Sequence, residues 1–149
     1  MAGTQAYFST MQNFYARLTT GAAADDGSSQ TNATWVNTAG GADSTTAPST
    51  DWMLTGITVS DSSATGVGDL ADALLRVFLV SGGTGNAARL IYVYDFNNPA
   101  ASTTTSKGLN VYIPFGPAWT FCKNSTIAFN VSVAPTAGNL DIVGIAQVA

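Results

Sequence analysis

The sequence predicts a mainly β protein: an antiparallel β-sandwich of seven or eight strands in a jelly-roll-like order, with a short N-terminal helix or arm. The first observation is that apolar and polar side chains alternate with a period of two in several short segments of residues 51–149. The second is that Gly, Pro, Asn and Asp cluster between these segments, where turns are expected. The third is the length of 149 residues, which suits one domain with a core of its own. Short strands separated by regular turn signals are typical of sandwiches.

Residues 1–20 depart from this pattern because their large apolar side chains recur with helical spacing. Thr4 suits a helix N-cap, and Gly21 suits a helix stop. The recurrence at i, i+1, i+4, i+7, i+8 and i+11 indicates one face of a helix. The segment either closes one end of its own domain or forms an arm, helical or extended, that packs on a neighbouring subunit. In the second case the interface residues are Tyr7, Phe8, Met11, Phe14, Tyr15 and Leu18.

Residues 21–50 are rich in Ser, Thr, Gly, Ala and Asp, and we interpret them as a long loop that lies over the domain. Within them, residues 33–37 could form a short edge strand. Asp25, Asp26 and Asp43 could gather a calcium ion, but no EF-hand spacing is present. The sequence therefore predicts no metal site.

Residues 51–149 form the predicted sandwich body. A hairpin at its centre, Leu74–Phe96, has a turn at residues 81–86 that is rich in Gly and Asn, which adopt positive φ readily. Both faces of both hairpin strands are largely apolar, as in a strand buried in a core or in an interface. The other predicted strands are 52–60, 109–113, 119–121, 126–133 and 140–148, and the predicted turns are 61–68, 97–99, 114–117 and 135–139.

The two apolar faces of the hairpin and the N-terminal aromatic stripe together exceed what one small domain buries easily. We therefore expect a homo-oligomer, with a trimer as the first choice.

The charge content excludes several classes of partner. Charged residues make up only 9% of the chain, the net charge is −4, and the five basic residues are scattered. Nucleic-acid binding requires clustered Lys and Arg, so we expect no nucleic-acid partner. No window reaches the roughly 20 apolar residues of a membrane span, and the N-terminus lacks the pattern of a secretory signal. Cys122 is the single cysteine; we expect no intrachain disulfide and interpret it as a small buried apolar residue.

The residue types also argue against catalysis. The chain has no His and no Glu, which excludes Ser-His-Asp triads and the usual zinc sites. A glycosidase would need a pair of Asp such as Asp95 and Asp141, but exposed Asp is far more often a turn residue. Gly82–Gly85 lies between two strands, so it is a turn rather than a phosphate loop. We expect no enzymatic activity and no cofactor.

An alternative is a sugar-binding surface, because aromatic side chains on a sandwich can stack on sugar rings. More often such residues are core or interface anchors. The candidates are Trp35, Trp52, Tyr92, Tyr94, Tyr112 and Trp119.

Three segments also carry a resemblance to known proteins: 53–60 (MLTGITVS), 92–95 (YVYD) with 108–116 (GLNVYIPFG), and 126–133 (TIAFNVSV). In this order they resemble the small β-sandwich virion proteins of tailed bacteriophages, including capsid decoration (cement) proteins and head-fibre or tail-associated modules. The resemblance implies a structural protein, usually trimeric, that is made in the host cytoplasm and docks on the capsid surface with the major capsid protein as its partner. The resemblance implies no catalytic residues. A receptor- or glycan-binding module of a tail or fibre is the alternative.

Overall fold

The computed structural model describes residues 10–19, 29–61, 73–82, 88–96, 109–133 and 139–149. Within them the chain forms nine strands. These are β1 (Thr10–Leu18), β2 (Thr31–Asn32), β3 (Thr34–Trp35), β4 (Trp52–Asp61), β5 (Leu74–Ser81), β6 (Ala88–Asp95), β7 (Asn110–Phe121), β8 (Ser125–Val131) and β9 (Leu140–Val148). The predicted mainly β fold is confirmed.

The strands form two antiparallel sheets that pack as a sandwich. One sheet has the order β3-β1-β9-β4-β7, and the other has the order β2-β8-β5-β6. The short strands β2 and β3 are separated by Ala33 alone and belong to different sheets. If they are counted as one broken strand that belongs to the second sheet, each sheet contains four strands in jelly-roll order. The predicted antiparallel sandwich is therefore confirmed.

Residues 10–18 form strand β1 rather than the predicted helix. β1 lies inside the five-stranded sheet, between β3 and β9, and pairs with β9 along its whole length. Phe14, Ala16 and Leu18 point into the core with the period of two of a strand, and this burial outweighs the helical spacing of the aromatic side chains. Residues 1–9 lie outside the described residues. The sandwich therefore includes β1 and does not begin at residue 51.

The predicted long loop contributes two strands to the sandwich. β3 coincides with the short edge strand that was expected within residues 33–37, and its Trp35 forms an isolated bridge with Ser44. Trp35 is buried, and its indole Nε1 donates a hydrogen bond to Thr126 Oγ1 of the other sheet at 3.2 Å. This side chain therefore links the two sheets.

The predicted hairpin is confirmed as the pair β5–β6, although turn residues 83–87 lie outside the described residues. β5 is buried on both faces: Leu75 and Val77 belong to the main core, and Phe78 and Val80 form a second cluster with Ala128. The chain thus covers both faces of β5 by itself. This strand gives no reason for a partner subunit, although the sequence suggested one.

β7 is one strand of 12 residues, whereas the sequence predicted two strands separated by a turn at 114–117. The pairing of β7 with β4 shifts between the pairs Leu54–Trp119 and Gly56–Pro114. More residues of β7 than of β4 lie between these two pairs, and they form an irregular stretch. β7 is an edge strand, and proline is tolerated there because the outer amides need no ladder partner.

A row of aromatic rings from the five-stranded sheet runs through the core, and two of them are hydrogen-bonded to the other sheet. Phe14 lies with its ring centroid 5.1 Å from that of Trp35, and Trp35 lies 5.1 Å from Trp52. Trp52 in turn stacks on Phe121 at 4.1 Å, and its indole Nε1 donates to the Ser125 carbonyl at 3.0 Å. Buried indole nitrogens need such partners. These rings are structural anchors of the core.

Cys122 is exposed, which contradicts the prediction that it is a buried apolar residue. It follows β7 at the start of the turn that leads to β8, where the chain leaves the sheet. We expect Cys122 in the native protein to react with a disulfide reagent such as DTNB, with a stoichiometry of one thiol per chain and without a lag. The same reaction in urea is the control. A thiol that reacts only after unfolding would contradict this placement.

Candidate interaction surface

The outer face of the five-stranded sheet carries most of the exposed large apolar side chains of the described residues. Successive side chains of a strand point to opposite sides, so in β1 and β9 the neighbours of the core residues point outward. We call this surface the apolar face. Its members are Met11, Tyr15, Tyr112, Val143 and Ile145, which are 56%, 41%, 58%, 44% and 53% exposed.

Strand register brings these side chains into one surface. Tyr15 lies opposite Val143, Val143 opposite Thr58, and Thr58 opposite Tyr112, so one row crosses four strands. Ile145 is two residues along β9 from Val143, on the same side of the sheet. Half-exposed apolar side chains of this size, gathered on one face, form a patch of the kind that is often an interaction site.

Gly56 determines the position of Tyr112. A Cβ at position 56 would lie 2.6 Å from Tyr112 Cζ and 2.7 Å from the Ile113 carbonyl oxygen. Because glycine has none, the tyrosine ring lies over β4, and its hydroxyl approaches the Thr55 carbonyl at 3.5 Å. Tyr112 therefore extends the apolar face across β4.

Tyr15 is fixed at the opposite margin of the face. Its hydroxyl donates to Asp43 Oδ2 at 3.3 Å, and Asp43 Oδ1 accepts the Asn37 amide at 2.9 Å. Asp25 and Asp26, the other two residues of the candidate calcium site, lie outside the described residues. Among the described residues no group of three His, Cys, Asp or Glu side chains could hold a metal ion.

The charged side chains that β1, β4, β7 and β9 direct to this face sum to no net charge. Arg17 donates to Asp141 from Nε at 2.8 Å and from a terminal nitrogen at 3.1 Å. The hydrogen bond and the negative charge of Asp141 raise the pKa of Arg17. The pair is exposed, so it contributes little to stability. Its consequence is that the apolar face has almost no net charge, although the chain carries −4.

The six candidate interface residues are divided by the strand geometry of β1. Met11 and Tyr15 belong to the apolar face, whereas Phe14 and Leu18 are buried in the core of their own chain, 0% and 2% exposed. Tyr7 and Phe8 lie outside the described residues. Of the other three members of the apolar face, Tyr112 was a candidate for sugar stacking alone, and Val143 and Ile145 were not predicted. Apolar residues at 143 and 145 in the predicted strand 140–148 were the available signal.

The aromatic candidates for sugar stacking are mostly unavailable. Trp35 and Trp52 are each 2% exposed, and Tyr92, Tyr94 and Trp119 are partly buried against the core. Tyr112 alone of the set is largely exposed. The candidate acid pair is also divided, because Asp95 is on β6 of the four-stranded sheet and Asp141 is on β9 of the other.

A polar groove of about 270 Å³ lies away from the apolar face, near the end of the four-stranded sheet. It is lined by side chains without formal charge, mostly hydroxyls and amides. They belong to Asn32, Thr45, Thr46, Ala47, Val80, Ser81, Gly82, Asn124 and Thr126. Such groups hydrogen-bond to neutral polar ligands.

No helix of the described residues is long and apolar enough to cross a membrane. No protein-family model matches the chain, and no curated protein sequence matches it.

Proposed function

We propose that this protein is a structural virion protein of a tailed bacteriophage, which decorates the capsid exterior and stabilises it by bridging capsid subunits. The observation that carries the proposal is the apolar face, a surface of large side chains whose strand-borne charges, Arg17 and Asp141, are paired, on a sandwich of the resembling type. Its partner is the major capsid protein. The protein also associates with itself, and the resemblance favours a trimer.

The apolar face is suited to docking because its desolvation costs little. Removing an unpaired charge from water is very costly and removing a hydroxyl costs less, whereas removing apolar groups from water is favourable. On the apolar face, Val143, Ile145 and Thr58 present no charge, and Arg17 is already paired with Asp141. Such a surface suits permanent contact. An oligomer that touches several capsid subunits also gains effective concentration at each contact.

The proposal predicts that purified protein added to heads that lack it will bind in low salt and equally in about 1 M salt, because screening weakens only charge-dependent contacts. Bound heads should also resist higher temperatures, since a ligand of the assembled state stabilises that state. Binding is measured by co-sedimentation, and heads without added protein are the control for heating.

Heads that gain neither binding nor thermal resistance would contradict the decoration role. Binding that disappears in high salt would contradict the proposed apolar contact.

The alternative is a receptor- or glycan-binding module of a tail or fibre, and the polar groove favours it. Asn32, Asn124 and Thr126 there supply amide and hydroxyl groups that suit sugar hydroxyls. A glycan array separates the two functions: specific binding that Asn124→Ala abolishes would support the module, together with electron microscopy density confined to the tail.

A further inference from the structure

β6 is the longest edge strand without proline in the two sheets, within the described residues. The other edge strands are β2 and β3, each two residues long, and β7, which contains Pro114 and Pro117. Short strands and prolines are devices by which proteins prevent edge pairing. β6 is eight residues long, contains neither proline nor lysine, and pairs with β5 alone among the described strands.

β6 also contains a bulge at its centre. Leu90 pairs with Phe78 and Tyr92 with Val77, so Ile91 has no counterpart on β5. Both Ile91 and Tyr92 pack against the main core. The bulge therefore reverses the alternation of the strand, because two consecutive side chains lie on the inner side.

The reversal gives β6 a symmetric pattern of faces. In the first half, Ala88 packs against the second cluster, on the outer side. Arg89 then lies on the inner side opposite Leu79, Leu90 on the outer side opposite Phe78, and Ile91 on the inner side. In the second half, Tyr92 and Tyr94 face the core, and Val93 lies opposite Arg76 on the outer side. Read from residue 88 to residue 95, the pattern is outer, inner, outer, inner, inner, outer, inner, outer. It is the same in both directions.

An antiparallel pair of identical strands requires this property, because residues that lie opposite each other must point to the same side of the sheet. A regular strand meets the requirement when its register is centred on a residue. β6 meets it when the register is centred between Ile91 and Tyr92, at the bulge. In that register Leu90 lies opposite Val93 of the second copy, and these two side chains are the exposed apolar residues of β6, each 43% exposed.

We propose that β6 is a self-association edge, at which a second copy of this chain pairs antiparallel about a two-fold axis between Ile91 and Tyr92. The two four-stranded sheets then form one continuous sheet of eight strands. Arg89 and Asp95 give the strand no net charge, so two copies meet without net repulsion along the edge. The inference goes beyond the proposed function and does not depend on it, since capsid docking uses the other sheet.

The test exchanges the apolar pair for a charged pair. Leu90→Lys and Val93→Glu should each halve the mass of the particle in solution, because each buries two unpaired charges at the junction, one from each copy. The double variant Leu90→Lys/Val93→Glu places the new lysine opposite the new glutamate of the second copy in this register alone, and should restore the wild-type mass in low salt. Restored association should weaken in about 1 M salt.

The measurement is sedimentation equilibrium at micromolar concentration, and thermal unfolding by circular dichroism verifies that each variant is folded. The wild-type particle should contain an even number of chains, whether a dimer or a pair of trimers. Val133→Lys is the matched control, since Val133 is 38% exposed and lies outside β6; its mass should be unchanged.

A wild-type monomer or single trimer would overturn the proposal, and would mean that the bulge protects the edge instead. Single variants of unchanged mass, or a double variant that stays dissociated, would also overturn it.

Discussion

Gly144→Ala is expected to lower the free energy of unfolding by about 3 kcal/mol, the upper part of the range for overpacked cores. Gly144 lies opposite Phe14 in the β1–β9 pair, and a Cβ at position 144 would overlap the Phe14 ring. The ring has little room to move, because it is fully buried between Trp35 and Phe129, at centroid distances of 5.1 Å and 6.4 Å. Urea unfolding followed by tryptophan fluorescence measures the change.

Two further variants show whether the Phe14 ring is the cause. Gly116→Ala is the matched control: no atom lies within 4 Å of a Cβ at position 116, so its stability should be close to wild type. In the background of Phe14→Leu, Gly144→Ala should cost clearly less, since the colliding ring is absent. The same cost in both backgrounds would contradict this account of the β1–β9 contact.

The double variant Val143→Lys/Ile145→Lys is expected to weaken binding to capsid heads at least about a hundredfold, which corresponds to roughly 2.7 kcal/mol. Both side chains are near the middle of the apolar face, and each lysine would lose its hydration without a partner in the contact. Val143→Thr/Ile145→Thr is the control, because threonine preserves the β-branched shape without adding charge. It should bind more weakly than the wild type and much more tightly than the lysine variant.

Affinity is measured by co-sedimentation with heads that lack the protein, at equal monomer concentrations and after verification of folding. A lysine variant that binds within about threefold of the wild type would exclude the apolar face as the docking surface. Val133→Lys measures how a lysine outside the apolar face affects binding to the heads.

Much of the fold follows from patterns of local sequence. β4, β5, β6, β8 and β9 were predicted because each has a period of two or an apolar run bounded by turn residues. β7 was divided in error, because Pro114 and Pro117 normally signal a turn, and only its edge position makes them compatible with a strand. A helix was predicted in place of β1, because the spacing of its aromatic residues also fits a helical period. Pairing with β9, which is distant in sequence, decides in favour of the strand.

The site was less predictable than the fold. In residues 140–148 both sides of the strand carry apolar residues, and only Asp141 and Gln147 mark the side of Val143 and Ile145 as the outer one. The structure places Gly144 on the inner side, where its missing side chain leaves space for Phe14, and Val143 and Ile145 point outward. Likewise Tyr112 joins the apolar face only because Gly56 is on the neighbouring strand. Such contacts depend on register, which local patterns do not specify.

The proposed function places the apolar face of the five-stranded sheet against the outside of the capsid. An electron cryomicroscopy reconstruction of heads incubated with the purified protein shows where each sandwich lies and which of its sheets contacts the shell. We expect one additional density per binding site over the head surface, fitted by the sandwich with Tyr112, Val143 and Ile145 against the capsid shell. Density that is confined to the tail, or a sandwich on the head whose five-stranded sheet faces the solvent, would contradict it.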